Sequence, residues 1–137
     1  MKSLETIKPV YIADTNALFW YLKHDSKLSP QAKTIFQAAE RGETRIIISA
    51  VVIAELHYLN KKHKVFADFA KVYEDLKSKP YFQLVVLDPD DILDFDKDAA
   101  VTEIHDRIIA GLARRLDAPL ITVDPQITVT GLVEIVW

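Results

Sequence analysis

The feature that most constrains the fold of this 137-residue chain is an alternation of short, β-rich apolar runs with longer helical runs. The apolar runs lie at residues 9–13, 45–48, 84–87, 120–123 and 132–136. The helical runs lie at residues 15–22, 30–41, 50–62, 64–77 and 102–116, with a short helix after Asp88-Pro89. Strands that alternate with helices are typical of βαβ units. We therefore expect an α/β fold with a central, mainly parallel five-stranded sheet.

Composition limits the classes of protein that fit. With 50% hydrophobic and 27% charged residues, the chain suits one folded domain over residues 1–137 rather than disorder. The absence of cysteine excludes disulfides, a thiol nucleophile and thiolate zinc sites, and it suits a cytoplasmic location. Residues 1–5 lack the apolar run of a signal peptide, and the apolar stretch at residues 46–54 is too short to span a membrane.

The net charge of −3 by itself argues against nucleic acid as a partner. Removing the charges of four metal-bound acidic residues from this total would leave +1. A metal-dependent nuclease therefore stays compatible with the charge.

Polar residues follow four of the predicted strands: Asp14, Ser49, Asp88 and Asp124. In open parallel sheets, ligands bind outside the carboxyl ends of the strands, so carboxylates there are candidates for chemistry. Aspartate after a strand also caps the next helix. We favour capping for Asp88, which precedes proline. For Asp14 and Asp124 both interpretations stay open.

Two further acids lie on predicted helices. Glu55 falls within the apolar arc of its helix, where a carboxylate is costly unless it is paired, hydrogen-bonded or bound to metal. The alternative to a functional role is that Glu55 forms an internal ion pair or reaches past the core to water. Asp106 lies at the edge of an apolar arc beside Ala110 and Ala113, which leave room for a cleft. An aspartate in the first turn of a helix also complements the helix dipole. This explains Asp106 as well as a functional role does.

These four acids are distant in sequence but can meet at one end of the sheet. A group of oxygen ligands without histidine or cysteine suits a hard cation, Mg²⁺ or Mn²⁺. Such an ion usually serves phosphoryl chemistry. None of the four histidines has the spacing of a metal-binding pair.

Four blocks, at residues 11–18, 48–56, 105–113 and 120–124, occur in an order that resembles the PIN-domain family of ribonucleases. The resemblance is strongest to the VapC-type toxins of bacterial and archaeal toxin–antitoxin pairs and covers nearly the whole chain. It implies a three-layer α/β/α sandwich, a Mg²⁺- or Mn²⁺-dependent endoribonuclease, an RNA substrate, an antitoxin partner and a homodimer.

Carried over by position, the resemblance implies that the ion is held, and water activated, by Asp14, Glu55, Asp106 and Asp124. It places Asn16, Ser49 and Thr122 where polar side chains orient these acids. Pro125, after the fourth acid, departs from the usual family pattern and affects only the path of that loop.

Basic residues near these blocks are candidates for contacting RNA phosphates: Arg107, Arg114, Lys61 and Lys62. A solvated helix face explains such residues equally simply. His105 adjoins Asp106 and could touch a substrate, although a polar residue at a helix start is the simpler explanation.

Three alternatives to a nuclease fit an α/β chain of this kind. A haloacid-dehalogenase-like phosphatase needs a second aspartate two residues after the first, where this chain has Asn16. A receiver-like binding module needs a late lysine, and none follows Lys97. A non-catalytic PIN-like scaffold is the third alternative, but such scaffolds tend to lose the acids that are all present here.

Overall fold

The computed structural model describes residues 8–137, which form a five-stranded sheet in the order β3-β2-β1-β4-β5. The strands are β1 (Val10–Ala13), β2 (Arg45–Ser49), β3 (Phe82–Val85), β4 (Leu120–Ile121) and β5 (Ile135–Val136). Every strand pairing within residues 8–137 is parallel, which confirms the expected α/β fold. Residues 1–5, expected to carry no signal peptide, lie outside the described residues.

The helices are α1 (Thr15–Leu22), α2 (Pro30–Glu40), α3 (Ala50–His63), α4 (Phe69–Ser78), α5 (Ile104–Leu116) and α6 (Pro125–Thr128), and a 3-10 segment covers Pro89–Asp98. Local sequence explains their ends. Ser29 accepts a hydrogen bond from the Ala32 backbone before α2, and Gly42 takes the positive φ of 78° that turns the chain towards β2. Across the described chain, no helix combines the length and apolarity needed to cross a membrane.

The strand order reverses direction at the centre of the sheet. The chain runs from β1 through β2 to β3 on one side, then returns to place β4 on the other side of β1. With right-handed crossovers, this reversal distributes helices over both sheet faces. All three isoleucines of β2 are buried, as expected for a strand covered on both faces. The reversal also opens a crevice between the carboxyl ends of β1 and β4.

The expected start of α4 at residue 64 was wrong. Lys64 adopts a left-handed conformation, with φ of 54°, and ends α3 instead. The side chain of Asp68 then accepts a hydrogen bond from the Lys71 backbone, so α4 begins at Phe69. The helical periodicity predicts this helix, but its start is set by the cap at Asp68.

The predicted strands near the carboxyl half were displaced or too long. β3 covers Phe82–Val85 rather than 84–87, because its pairing with β2 ends where Val85 lies opposite Ser49. Val86 is 81% exposed, so its apolar character does not mark a strand. β4 and β5 each contain only two paired residues. Asp88 caps the 3-10 segment in a reciprocal capping box with Asp91, which confirms the capping interpretation.

Candidate active site

The four acids singled out in the sequence line a single cleft of about 530 Å³. Asp14 directly follows β1, and Asp124 comes three residues after β4, so both lie at the crevice where the strand order reverses. Glu55 comes from α3 and Asp106 from the first turn of α5. The cleft is also lined by Thr15, Asn16, Ala54, Tyr58, Leu59 and His105.

Asp14 lies at the base of the cleft and is only 7% exposed. Its Oδ1 accepts a hydrogen bond from the Thr15 backbone at 2.7 Å, and its Oδ2 accepts one from Thr122 Oγ1 at 2.6 Å. Thr122 Oγ1 in turn accepts a hydrogen bond from the Asp124 backbone at 3.1 Å. One hydroxyl therefore links the two strand-end acids, a contact that suits the orienting role expected for Thr122.

Glu55 is held by a residue that the sequence analysis did not single out. Thr15 Oγ1 donates to Glu55 Oε1 at 2.5 Å, while the Glu55 side chain stays 30% exposed. This bond explains how a carboxylate is accommodated on the apolar arc of α3. The polar triplet Asp14-Thr15-Asn16 directly after a buried strand was the available signal for Thr15.

Glu103 organises the start of α5 and was also missed. Its Oε2 accepts from the Asp106 backbone at 2.8 Å, and its Oε1 lies 2.9 Å from His105 Nδ1. The same His105 nitrogen is 3.8 Å from Glu55 Oε2. An acid three residues before the first-turn Asp106 is the spacing of a helix cap, so the sequence carried the signal.

The strand-end acids serve as helix caps as well. Asp14 caps α1, and Asp124 Oδ1 accepts from the Gln126 backbone at the start of α6. The two interpretations left open by the sequence are therefore compatible, since one carboxylate can cap a helix and face the cleft.

The negative charges in the cleft perturb one another. Burial raises the pKa of Asp14, with further increases from the charges of Glu55 and Asp124 and opposing hydrogen bonds from Thr122 and the Thr15 backbone. Burial, followed by the charges of Asp14 and Asp124, raises the pKa of Asp106 to about 7. Among the described residues, no lysine or arginine lines the cleft. The site is thus a carboxylate cluster without a cationic side chain to neutralise it.

The carboxylates line the cleft without closing on a common point. Within residues 8–137, no three acidic or histidine side chains are close enough to form a ready-made metal-ligand group. The four predicted acids therefore share the lining of the cleft, with space between their carboxylates.

The other predicted site residues do not all lie in the cleft. Asn16 lines the cleft and is exposed. Ser49 is buried and does not line the cleft; its Oγ accepts from the Val51 backbone at 3.2 Å and caps α3. Lys61 and Lys62 are exposed in the last turn of α3.

The structure gives the two arginine candidates structural contacts away from the cleft. Arg107 Nε donates to the Val101 carbonyl at 2.7 Å. Arg114 Nε donates to Asp98 Oδ1 at 2.7 Å, and its Nη2 lies 3.3 Å from Asp94 Oδ2. These contacts hold the Arg114 guanidinium against two aspartates of the 3-10 segment, and its contact with RNA stays a prediction.

Comparison with known proteins places this geometry in a family. A family model described as PIN domain matches residues 11–131. The chain belongs to the PIN domain family. Nuclease activity is typical of this family, and the matched residues include all four acids of the cleft. A search of curated proteins gives no match.

Solved structures share the fold at low sequence identity. VapBC2 from Rickettsia felis, bound to a DNA fragment from its promoter, aligns with a TM-score of 0.68 and 17% identity over 93% of this chain and 97% of that one. FitAB bound to the IR36 DNA fragment gives a TM-score of 0.63 and 13% identity over 92% and 93%. FitAcB from Neisseria gonorrhoeae aligns with a TM-score of 0.59 and 17% identity, over 91% of this chain and 95% of that one.

Proposed function

We propose that this PIN domain is a Mg²⁺- or Mn²⁺-dependent endoribonuclease that hydrolyses RNA phosphodiester bonds, and that it is the VapC-type toxin of a toxin–antitoxin pair. The observation that carries the proposal is that Asp14, Glu55, Asp106 and Asp124, which are distant in sequence, line one cleft. Membership of a family in which nuclease activity is typical supports the same activity.

The donor chemistry of the cleft suits a hard divalent cation. Its acidic ligands are all carboxylates, the kind of oxygen donor that Mg²⁺ and Mn²⁺ prefer. Burial and neighbouring carboxylates raise the pKa of both Asp14 and Asp106, so their ionised forms are disfavoured until a cation balances the charge. Mg²⁺ keeps several waters when bound, so a site of few direct carboxylate contacts is compatible with it. Asp14, Glu55, Asp106 and Asp124 are the residues that would hold the ion.

The protein's own contribution to the reaction is orientation. Thr122 and the Thr15 backbone fix both oxygens of Asp14, and the Thr15 hydroxyl fixes one oxygen of Glu55. These bonds hold two carboxylates in place before substrate arrives, which lowers the reorganisation needed during the reaction. When bound, the cation would polarise the phosphate and lower the pKa of an attacking water.

Cleavage of RNA by purified protein tests the enzymatic proposal. We expect cutting of labelled single-stranded RNA in Mg²⁺ or Mn²⁺, none in EDTA, and a loss of at least about 100-fold in Asp106→Asn, as for removal of a transition-state contact. Asp96→Asn is the matched control, because Asp96 is an exposed aspartate outside the cleft. Intact RNA, or equal cutting by Asp106→Asn, would contradict the proposal.

The toxin role and the partners are proposed from similarity to VapBC2 and FitAB, both solved with bound DNA fragments. We propose an antitoxin partner and a homodimeric toxin. Expression of the protein should arrest bacterial growth, and Asp106→Asn should not. Light scattering of the purified protein should give twice the 15.6 kDa chain mass. Unimpeded growth with an active nuclease would contradict the toxin role, and a monomeric mass would contradict the dimer.

A further inference from the structure

An exposed tyrosine borders the acidic cleft. Tyr58 follows Glu55 by one turn of α3, lines the same cleft, and is 65% exposed. Aromatic side chains gain most from burial, so a ring this exposed forgoes much of its contribution to folding. None of the aromatic contacts found within residues 8–137 involves Tyr58.

The helix leaves room above this ring. Helical side chains lean towards the preceding turn, so Tyr58 extends over the turn that contains Ala54. Ala54 also lines the cleft and has only a methyl group, too small to cover an aromatic face. Lys61 and Lys62 follow Tyr58 by three and four residues, are exposed, and share this side of α3.

The negative charge of the cleft opposes RNA binding, and a stacking contact would add affinity that does not depend on charge. Four carboxylates line the cleft and, in the described chain, no lysine or arginine does, so an approaching phosphate backbone is repelled there. A bound cation offsets part of this repulsion. Stacking of a nucleobase on an aromatic ring adds affinity without requiring a positive charge.

We propose that Tyr58 is a base-stacking platform that holds single-stranded RNA across the acidic cleft, with Lys61 and Lys62 contacting the adjoining phosphates. This inference rests on the proposed nuclease function and names its substrate class. Bases of a duplex are already stacked on one another, whereas an unpaired base is free to stack on a side chain. The contact tolerates any base, since every base has an aromatic face.

Binding of a fluorescein-labelled single-stranded RNA, followed by anisotropy in the uncut Asp106→Asn background, tests the proposal. Adding Tyr58→Ala should weaken binding by roughly 5- to 150-fold, the range that base–aromatic stacking supplies. Tyr58→Trp should retain binding, because it keeps an aromatic face. Tyr73→Ala is the control, since Tyr73 lies on α4 and does not line the cleft. On an RNA whose bases are replaced by abasic sites, Tyr58→Ala should have no effect.

Two readouts separate this proposal from the nuclease itself. In the otherwise native enzyme, Tyr58→Ala should raise KM and leave kcat nearly unchanged, because the ring does not touch the reacting phosphate. Unchanged RNA binding by Tyr58→Ala in a protein that still cuts RNA would overturn only the stacking role. Conversion of a dimer to a monomer by Tyr58→Ala would also overturn it, since the ring would then belong to a protein interface. Failure of the parent variant to bind RNA, with no cutting by the native protein, would overturn both proposals.

Discussion

Replacing Asp106 with asparagine should stabilise the metal-free protein while it removes activity. Burial and the charges of Asp14 and Asp124 raise the pKa of Asp106 to about 7. At pH 8 the folded protein therefore contains an ionised carboxylate in surroundings that disfavour its charge. Asparagine has nearly the same shape and no charge, so it removes this cost. The bond from the Asp106 backbone to Glu103 is unaffected by the side-chain change.

The magnitude follows from the pKa. Between pH 3.8 and about 7, the folded protein retains a proton on Asp106 that the unfolded chain has released. The stabilising contribution of this group is complete below pH 3.8 and is lost as the pH rises through about 7. Each pH unit in this interval contributes about 1.4 kcal/mol, which sets an upper bound of about 4 kcal/mol. Because Asp106 is partly exposed, solvent screening reduces the expected gain in unfolding free energy to about 1–2 kcal/mol.

Urea denaturation at pH 8 in EDTA measures this gain, which should appear as a higher midpoint at unchanged slope and as a Tm higher by roughly 3–8 °C. At pH 5, where Asp106 is protonated in the folded protein, the difference should shrink to about a third. Asp96→Asn removes one negative charge away from the cleft and should change neither the urea midpoint nor the Tm. Equal stability of Asp106→Asn and the native protein at pH 8 in EDTA would refute the argument that burial and the neighbouring acids disfavour the charge of Asp106.

Three further changes test other contacts. Thr122→Val removes the hydroxyl shared by Asp14 and Asp124, so calorimetry should show about 10- to 100-fold weaker Mn²⁺ binding, restored by Thr122→Ser. Gly111→Ala places a Cβ 2.6 Å from Asp98 Oδ2, so urea denaturation should show a loss of about 1–3 kcal/mol. Asp98→Ala leaves the Arg114 guanidinium without its buried partner and should cost about 3 kcal/mol in the same assay. Unchanged binding in the first case, or unchanged midpoints in the other two, would contradict these assignments.

The sequence predicted elements whose signals are local and missed those that depend on pairing. The periodicity and caps of α1, α2 and α3 placed them within one residue at each end. β3 was shifted because apolar character continues through Val86, whereas the strand ends where β2 stops offering a partner. The start of α4 was misplaced because helical periodicity runs through a loop whose backbone at Lys64 turns left-handed.

At the candidate site, too, the sequence predicts the residues with local signals and misses the contacts that depend on the tertiary fold. The acids were identifiable because a carboxylate after a buried strand or on an apolar arc needs an explanation within its own neighbourhood. The pairing of Thr15 with Glu55 joins residues 40 positions apart, so no local pattern indicates it. The pairing of Arg114 with Asp98 is equally hidden, because Asp98 lies in a 3-10 segment whose packing on α5 is a property of the tertiary fold.

Calorimetric titration with Mn²⁺ tests most directly whether the four carboxylates act as one metal site. The native protein should bind the ion, and Asp14→Asn, Glu55→Gln, Asp106→Asn and Asp124→Asn should each weaken binding by at least about tenfold, while Asp96→Asn should not. Absence of binding to the native protein, or affinity unchanged by any of these four replacements, would contradict the account.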